Sequence, residues 1–218
     1  AQLTILGMLE NKSVTVVEGG AGTGKTVLAA ELAVREADKG RRVLFCCRSD
    51  LLVSRLSAQQ SGESQIDYLS YSSLEKIVNG STRSEADLDT HLWDTVIIDE
   101  AQDFEWDWWD LILRVMDKKS GRLRVFSDSN QAIYRRRDDL VTRLGAESFH
   151  LSVNLRNTRN IAALTEGLYK GPLINSPGPN GTAVSIEVCS EDQAIDRTIQ
   201  DIHNLLTEQK ISPSRITV

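Results

Sequence analysis

The chain has 218 residues, 40% of them hydrophobic and 26% charged, enough for one sizeable buried core and part of another. Its formal net charge of -6 at pH 7 excludes a generally basic nucleic-acid binder but leaves room for a local basic face. No apolar run approaches the length of a membrane span and no secretory signal pattern opens the chain. Cys46, Cys47 and Cys189 lack metal-ligand spacing and read as reduced thiols of a cytoplasmic protein, and His91, His150 and His203 are too scattered for a zinc site.

In chain order, residues 13–18 form a short β-branched run that reads as a buried strand. Gly19-Gly20-Ala21-Gly22-Thr23-Gly24-Lys25-Thr26 follows and fits G-x-x-x-x-G-K-[ST], the loop that cradles nucleotide phosphates. Residues 26–39 then have helix-forming composition and stop at Gly40, a C-terminal cap. Strand, glycine loop and helix together make an anion site. The glycines let N–H groups point inward, the helix N-terminus adds partial positive charge and Lys25 a full one, while Thr26 offers its hydroxyl to Mg²⁺. Strands are expected at 42–46, 66–70, 95–98 and 123–126, and helices at 50–56, 72–78 and 106–116. This alternation implies a parallel sheet covered on both faces. Residues 79–90 read as a loop with a short helix.

The run Val96-Ile97-Ile98-Asp99-Glu100 delivers an acidic pair at the C-terminal end of a buried strand, where parallel sheets bind ligands. Asp99 is suited to hold Mg²⁺ through water, and Glu100 to orient and deprotonate an attacking water. Trp106 and Trp109 share a helical face continued by Leu113, better suited to core packing than to base stacking. Arg135-Arg136-Arg137 is either a basic contact for nucleic acid or a solvated charge run beside Asp138-Asp139. After about residue 149 the character changes. Helices are expected at 160–169 and 192–206, an irregular proline-bearing stretch at 171–181, a strand at 183–188 and the start of another at 216–218. The expected organisation is a first domain over 1–150 and the beginning of a second over 151–218.

These segments carry a resemblance. Asp99-Glu100-Ala101-Gln102-Asp103 resembles motif II of superfamily 1 helicases of the UvrD/Rep type, and residues 19–26 resemble motif I. Residues 43–56, with Cys46-Cys47-Arg48-Ser49, loosely resemble motif Ia, and Ser70-Tyr71-Ser72-Ser73-Leu74 the segment that follows it. Ser127-Asp128-Ser129-Asn130-Gln131-Ala132-Ile133-Tyr134 resembles motif III, and Asn154-Leu155-Arg156-Asn157 resembles the N-Y-R-S of motif IV. Gln2 stands at about the distance of the family's adenine-reading glutamine.

The resemblance implies a RecA-like P-loop domain over 1–150, part of a second RecA-like domain over 151–218, and ATP-driven movement on DNA or RNA with Mg²⁺. It implies catalytic roles for Lys25, Glu100, Gln131 and Arg156. Nucleotide contacts would come from Gln2 and from Gly20, Ala21, Gly22, Thr23, Gly24, Lys25 and Thr26, and metal contacts from Thr26 and Asp99. A single-stranded nucleic-acid path would pass Arg48, Ser72, Tyr134 and Arg136. Three departures stand beside it. Arg136 occupies a position where the family has an aromatic residue, the large accessory insertion does not fit between Ser73 and the motif II strand, and nothing resembles motifs V and VI. Hydrolysis is therefore expected to need the remainder of the second helicase domain. The rival readings are a P-loop ATPase that acts as a switch and a nucleotide-binding regulatory module.

Overall fold

The computed structural model describes residues 2–9, 12–59, 65–80, 93–128, 137–166 and 174–216, with residues 2–4 and 137–139 described by their backbone. It divides into two compact units, Ala1–Gly181 and Thr182–Val218.

The first unit is an α/β sandwich. Its strands are β1 (Val14–Gly19), β2 (Val43–Cys47), β3 (Ile66–Ser70), β4 (Thr95–Ile98), β5 (Arg122–Ser127) and β6 (Glu147–Leu151). All neighbours pair in parallel, in the order β3-β2-β4-β5-β1-β6. Successive side chains on a strand point to opposite faces, and the apolar residues divide accordingly. Val16, Leu44, Cys46, Val96, Ile98, Leu123 and Val125 pack on one face and Val17, Val43, Phe45, Ile97 and Phe126 on the other. The strands are near-continuous apolar runs because both faces are covered.

Helix α1 (Gln2–Leu9) and helix α2 (Lys25–Asp38) cover the second face through Leu6, Leu9, Leu28 and Leu32. The first face receives Leu74 of α4 (Tyr71–Gly80) and Trp109, Ile112 and Val115 of α5 (Trp108–Val115). Helix α3 (Asp50–Ala58) starts at Ser49, whose hydroxyl accepts a hydrogen bond from the Leu52 N–H at 3.3 Å. Helices α6 (Arg137–Leu144) and α7 (Arg159–Glu166) flank β6 in the chain. Gly40 ends α2 as expected: its φ is 79° and its N–H donates to the Ala37 carbonyl at 2.8 Å. That left-handed turn favours glycine because it has no Cβ to clash.

Several elements differ from the sequence reading. Helix α1 and helix α6 were not expected, and neither was β6. In β6 only Leu151 is buried and only Phe149 is partly buried against the α2-side core, an apolar alternation of two residues that is too short to mark a strand. Tertiary pairing to β1, assisted by Ser148 and His150 against buried Glu18 at 3.1 and 3.4 Å, makes it a strand. The helix expected from residue 106 begins at Trp108, so Trp106 is not on a shared helical face with Trp109. Trp109 is buried in the core, Leu113 is exposed, and the Arg143 guanidinium lies 4.0 Å from the centre of the Trp106 ring.

In the second unit, helix α8 (Glu191–Thr207) matches expectation. The strand expected at 183–188 is not formed. Those residues are exposed, with Val188 at 97%, and have no ladder partner among the described residues; alternation supplies a face but a strand also needs a partner. Of the loop expected at 79–90, residues 79 and 80 instead end α4 and the rest lie outside the described residues, as do residues 217–218 of the strand opening expected at 216–218.

Candidate nucleotide site

Strand order builds the site. The C-terminal ends of β4, β5 and β1 are adjacent, so Asp99 and Glu100 after β4, Asp128 after β5 and the glycine loop after β1 share one edge. On one side of this group lie the ends of β2 and β3, with Arg48 and Ser72. On the other lies the chain leaving β6.

The loop takes its shape from glycines where the backbone requires them. Gly22 and Gly24 have φ of 81° and 86°, and Gly24 caps α2, its carbonyl accepting from the Leu28 N–H at 2.9 Å. Thr23 closes the turn by donating its hydroxyl to the Gly20 carbonyl at 2.9 Å. Ala21 is exposed at the tip. Lys25 starts α2, and its ammonium donates to the carbonyls of Gly19 at 2.8 Å and Gly20 at 3.2 Å and to Asp128 Oδ2 at 3.3 Å. The Lys25 and Asp128 side chains are only 7% and 1% exposed, so this ion pair is shielded from solvent screening.

The acidic pair is placed by the end of the ladder: Asp99 N–H donates to the Cys46 carbonyl at 2.9 Å. Burial pushes the Asp99 carboxyl up to about 6, opposed by the nearby Thr26 hydroxyl and Lys25 charge and reinforced by the charge of Glu100. Neither Asp99 oxygen has a hydrogen bond of ordinary geometry, though both are buried. A buried carboxylate with unused lone pairs beside a threonine hydroxyl is a fit for a hard divalent cation, which takes oxygen ligands. Glu100 is half-buried and has φ 53° and ψ 46°, a left-handed conformation that costs a non-glycine residue about 1–3 kcal/mol. Its Oε2 accepts from Gln102 Nε2 at 2.6 Å, and Gln102 Oε1 accepts from the Asp128 N–H at 2.9 Å.

The chain after β6 is fastened to the loop. Leu155 N–H donates to the Gly22 carbonyl at 2.9 Å and Asn154 Nδ2 to the Ala21 carbonyl at 3.3 Å. Asn154 Oδ1 in turn accepts from the N–H groups of Arg156 and Asn157, each at 3.0 Å. A Cβ on Gly22 would lie 3.1 Å from Arg156 Cβ, so the backbone brings Arg156 beside the phosphate loop while its side chain stays exposed.

The structure thus gathers Gly20 through Thr26, Asp99, Glu100 and Arg156 at one place. Arg48 is exposed after β2, and Ser72 is exposed at the start of α4 with its hydroxyl 3.1 Å from that of Ser70. The backbone of Gln2 lies in α1, but its side chain and Gln131, Tyr134 and Arg136 lie outside the described residues. Sequence reasoning gave no separate role to Asp128, Gln102 or Asn154. Each sits inside a recognised motif, yet nothing in the spacing says which distant group it meets.

A parallel sheet with a glycine phosphate loop after β1 and an acidic pair after the adjacent-but-one strand defines a P-loop ATPase domain of RecA-like architecture. Residues 2–173 match the AAA domain family, and the chain belongs to it. No curated protein sequence matches it. Among solved structures it is similar to the large terminase of a thermophilic bacteriophage, with TM-score 0.53, 11% identity and coverage of 88% of this chain and 56% of that one. Bacteroides Pif1 bound to single-stranded DNA gives 0.51, 14%, 92% and 55%, and the PRRSV helicase 0.51, 11%, 86% and 40%. The chain therefore spans about half the length of these structures, and at such identity the likeness is one of fold. No helix among the described residues is long and apolar enough to cross a membrane.

Proposed function

We propose that this chain is the ATP-hydrolysing core of a UvrD/Rep-like translocase or helicase acting on single-stranded DNA or RNA. One observation carries the reading. The phosphate-loop lysine, the acidic pair, the start of the motif III-like segment and the motif IV-like arginine converge on one sheet edge, as the order of the motifs implies.

In this reading the loop N–H groups and Lys25 bind the phosphates. Thr26 and Asp99 would hold Mg²⁺, which when bound supplies charge neutralisation at the phosphate oxygens. Glu100 orients the attacking water and takes its proton, and Arg156 meets charge on the terminal phosphate. Gln131 would relay the state of that phosphate, and Gln2 would read the adenine. Arg48, Ser72, Tyr134 and Arg136 would carry nucleic acid along the neighbouring strand ends. The remainder of a second RecA-like domain, starting near residue 151, would complete the cleft. The free buried thiols of Cys46 and Cys47 favour a cytoplasmic setting.

The test is Mg²⁺-dependent ATP turnover of the full-length protein with and without single-stranded DNA and RNA oligomers. Stimulation by either supports the translocase reading. Hydrolysis that neither changes, with no detectable binding, would assign the protein to the switch ATPases instead.

A further inference from the structure

The geometry points to Gln102 as a positioning residue that holds the Glu100 carboxylate and ties its placement to the chain leaving β5. This rests on the reading of Glu100 as the group that activates water. Glu100 lies two residues beyond Ile98, the last residue of β4, and precedes a short 3-10 turn, Ala101–Asp103. Neither ladder nor helix sets its side-chain direction. Its left-handed backbone is disfavoured for an L residue and persists only where neighbours hold it.

Gln102 holds the Glu100 carboxylate with one end of its amide and the chain after β5 with the other. The oxygen end accepts from the Asp128 N–H at 2.9 Å and lies 3.5 Å from the Ser127 hydroxyl. The Asp128 N–H can only donate, which fixes the oxygen end, so the NH₂ end faces Glu100, where it meets Oε2 at 2.6 Å. A reversed amide would set oxygen against carboxylate and nitrogen against N–H. Hydrogen bonds to an ionised acceptor are the short, strong kind. Asp128 is also the carboxylate that pairs with Lys25. A continuous path therefore runs from Lys25 through Asp128 and Gln102 to Glu100. A nucleotide that draws Lys25 from Asp128 acts on the same residue whose backbone orients Gln102.

The experiment uses the full-length protein and reads single-turnover ATP hydrolysis with protein in excess, equilibrium binding of a non-hydrolysed ATP analogue with Mg²⁺, and thermal denaturation. The near-isosteric Gln102→Glu replaces the donor with a second carboxylate. We expect it to slow the chemical step on the order of 10²-fold, the cost of a misplaced catalytic group, while nucleotide affinity is retained. Gln102→Ala should behave likewise. In a Glu100→Gln background, adding Gln102→Glu should cause no further loss, since residues acting as a unit are non-additive. Hydrolysis by Gln102→Glu at the parent rate, with Glu100→Gln inactive, overturns the inference alone. A lower melting temperature or weaker binding without a slower chemical step overturns it too, leaving Gln102 a structural link. If Glu100→Gln hydrolyses like the parent, or the parent shows no single-turnover hydrolysis, the reading of the site fails and the inference with it.

Discussion

The Lys25 ammonium lies 3.3 Å from the Asp128 carboxylate, 103 residues away in the chain, with both groups buried. The phosphate-loop lysine therefore stands in an internal ion pair that a nucleotide must compete with. Asp128→Asn should tighten nucleotide binding on the order of tenfold, about 1.4 kcal/mol. Lys25→Ala should abolish phosphate binding and also lower stability by about 3 kcal/mol, because it leaves a carboxylate buried without its ammonium. The double variant should regain stability but not binding. Isothermal titration and urea denaturation separate the two effects; equal affinity for Asp128→Asn and parent would show that the pair does not oppose binding.

Gly22 is constrained twice. Its φ is 81°, and a Cβ there would lie 2.5 Å from Asn154 Oδ1. Gly22→Ala should displace either the loop or the Asn154 clamp and weaken nucleotide binding by at least about tenfold, the equivalent of about 1.4 kcal/mol from left-handed strain and collision. Circular dichroism should stay native, since the loop lies outside both cores. Unchanged affinity would mean that the loop and the segment after β6 separate freely.

Arg156 is expected to act on the chemical step and not on ground-state affinity. In the full-length protein Arg156→Ala should lower kcat by on the order of 10³, the low end for an arginine that stabilises phosphoryl transfer. Arg156→Lys should not restore it, because an ammonium lacks the planar fork. A rise in KM alone would reassign the residue to simple binding.

Glu36 gives the pH dependence of folding an identifiable source. Its side chain is fully buried, on the α2 face of the sheet. It accepts hydrogen bonds from Arg41, from Lys39 at 3.3 Å and from the Thr95 hydroxyl at 3.1 Å. Burial alone would raise its pKa, but the Arg41 bond and charge and the Lys39 bond and charge outweigh it, so the carboxyl is held below its ordinary 4.5. A depressed folded value adds stability that is complete above the unfolded value and is lost as pH falls through the folded one. Glu36→Gln should therefore cost about 2 kcal/mol at neutral pH, through loss of charge-assisted bonds. The gap to the parent should narrow below about pH 4.5. Urea unfolding between neutral and acid pH measures both, and a constant gap would show that the charge of Glu36 contributes nothing.

Arg48 tests the nucleic-acid path from the strand ends beyond the acidic pair. Arg48→Glu in the full-length protein should weaken single-strand binding and reduce the steepness of its fall with salt by about one phosphate contact. ATP affinity should not change. Fluorescence anisotropy across a salt series reads the slope; an identical slope in the variant would remove Arg48 from the path.

By itself the sequence determined the local chemistry. The Gly22 and Gly24 turns, the Lys25-Thr26 helix start and the apolar strand leading into Asp99-Glu100 were legible, because each depends on residues within a few positions of one another. So were the central strands, whose burial on both faces leaves unbroken apolar runs such as Val96-Ile97-Ile98. Only the tertiary structure decided which strand ends are neighbours. Placing β5 between β4 and β1 joins Lys25 to Asp128 and Asp128 to Gln102, and no spacing in the chain encodes that order. It also made a strand of the weakly apolar Glu147–Leu151 by pairing it with β1, and gave residues 183–188 no ladder partner among the described residues. Hydrogen-bond partners far apart in sequence are chosen by packing, so the candidate residues could be named from local motifs and the contacts that hold them could not.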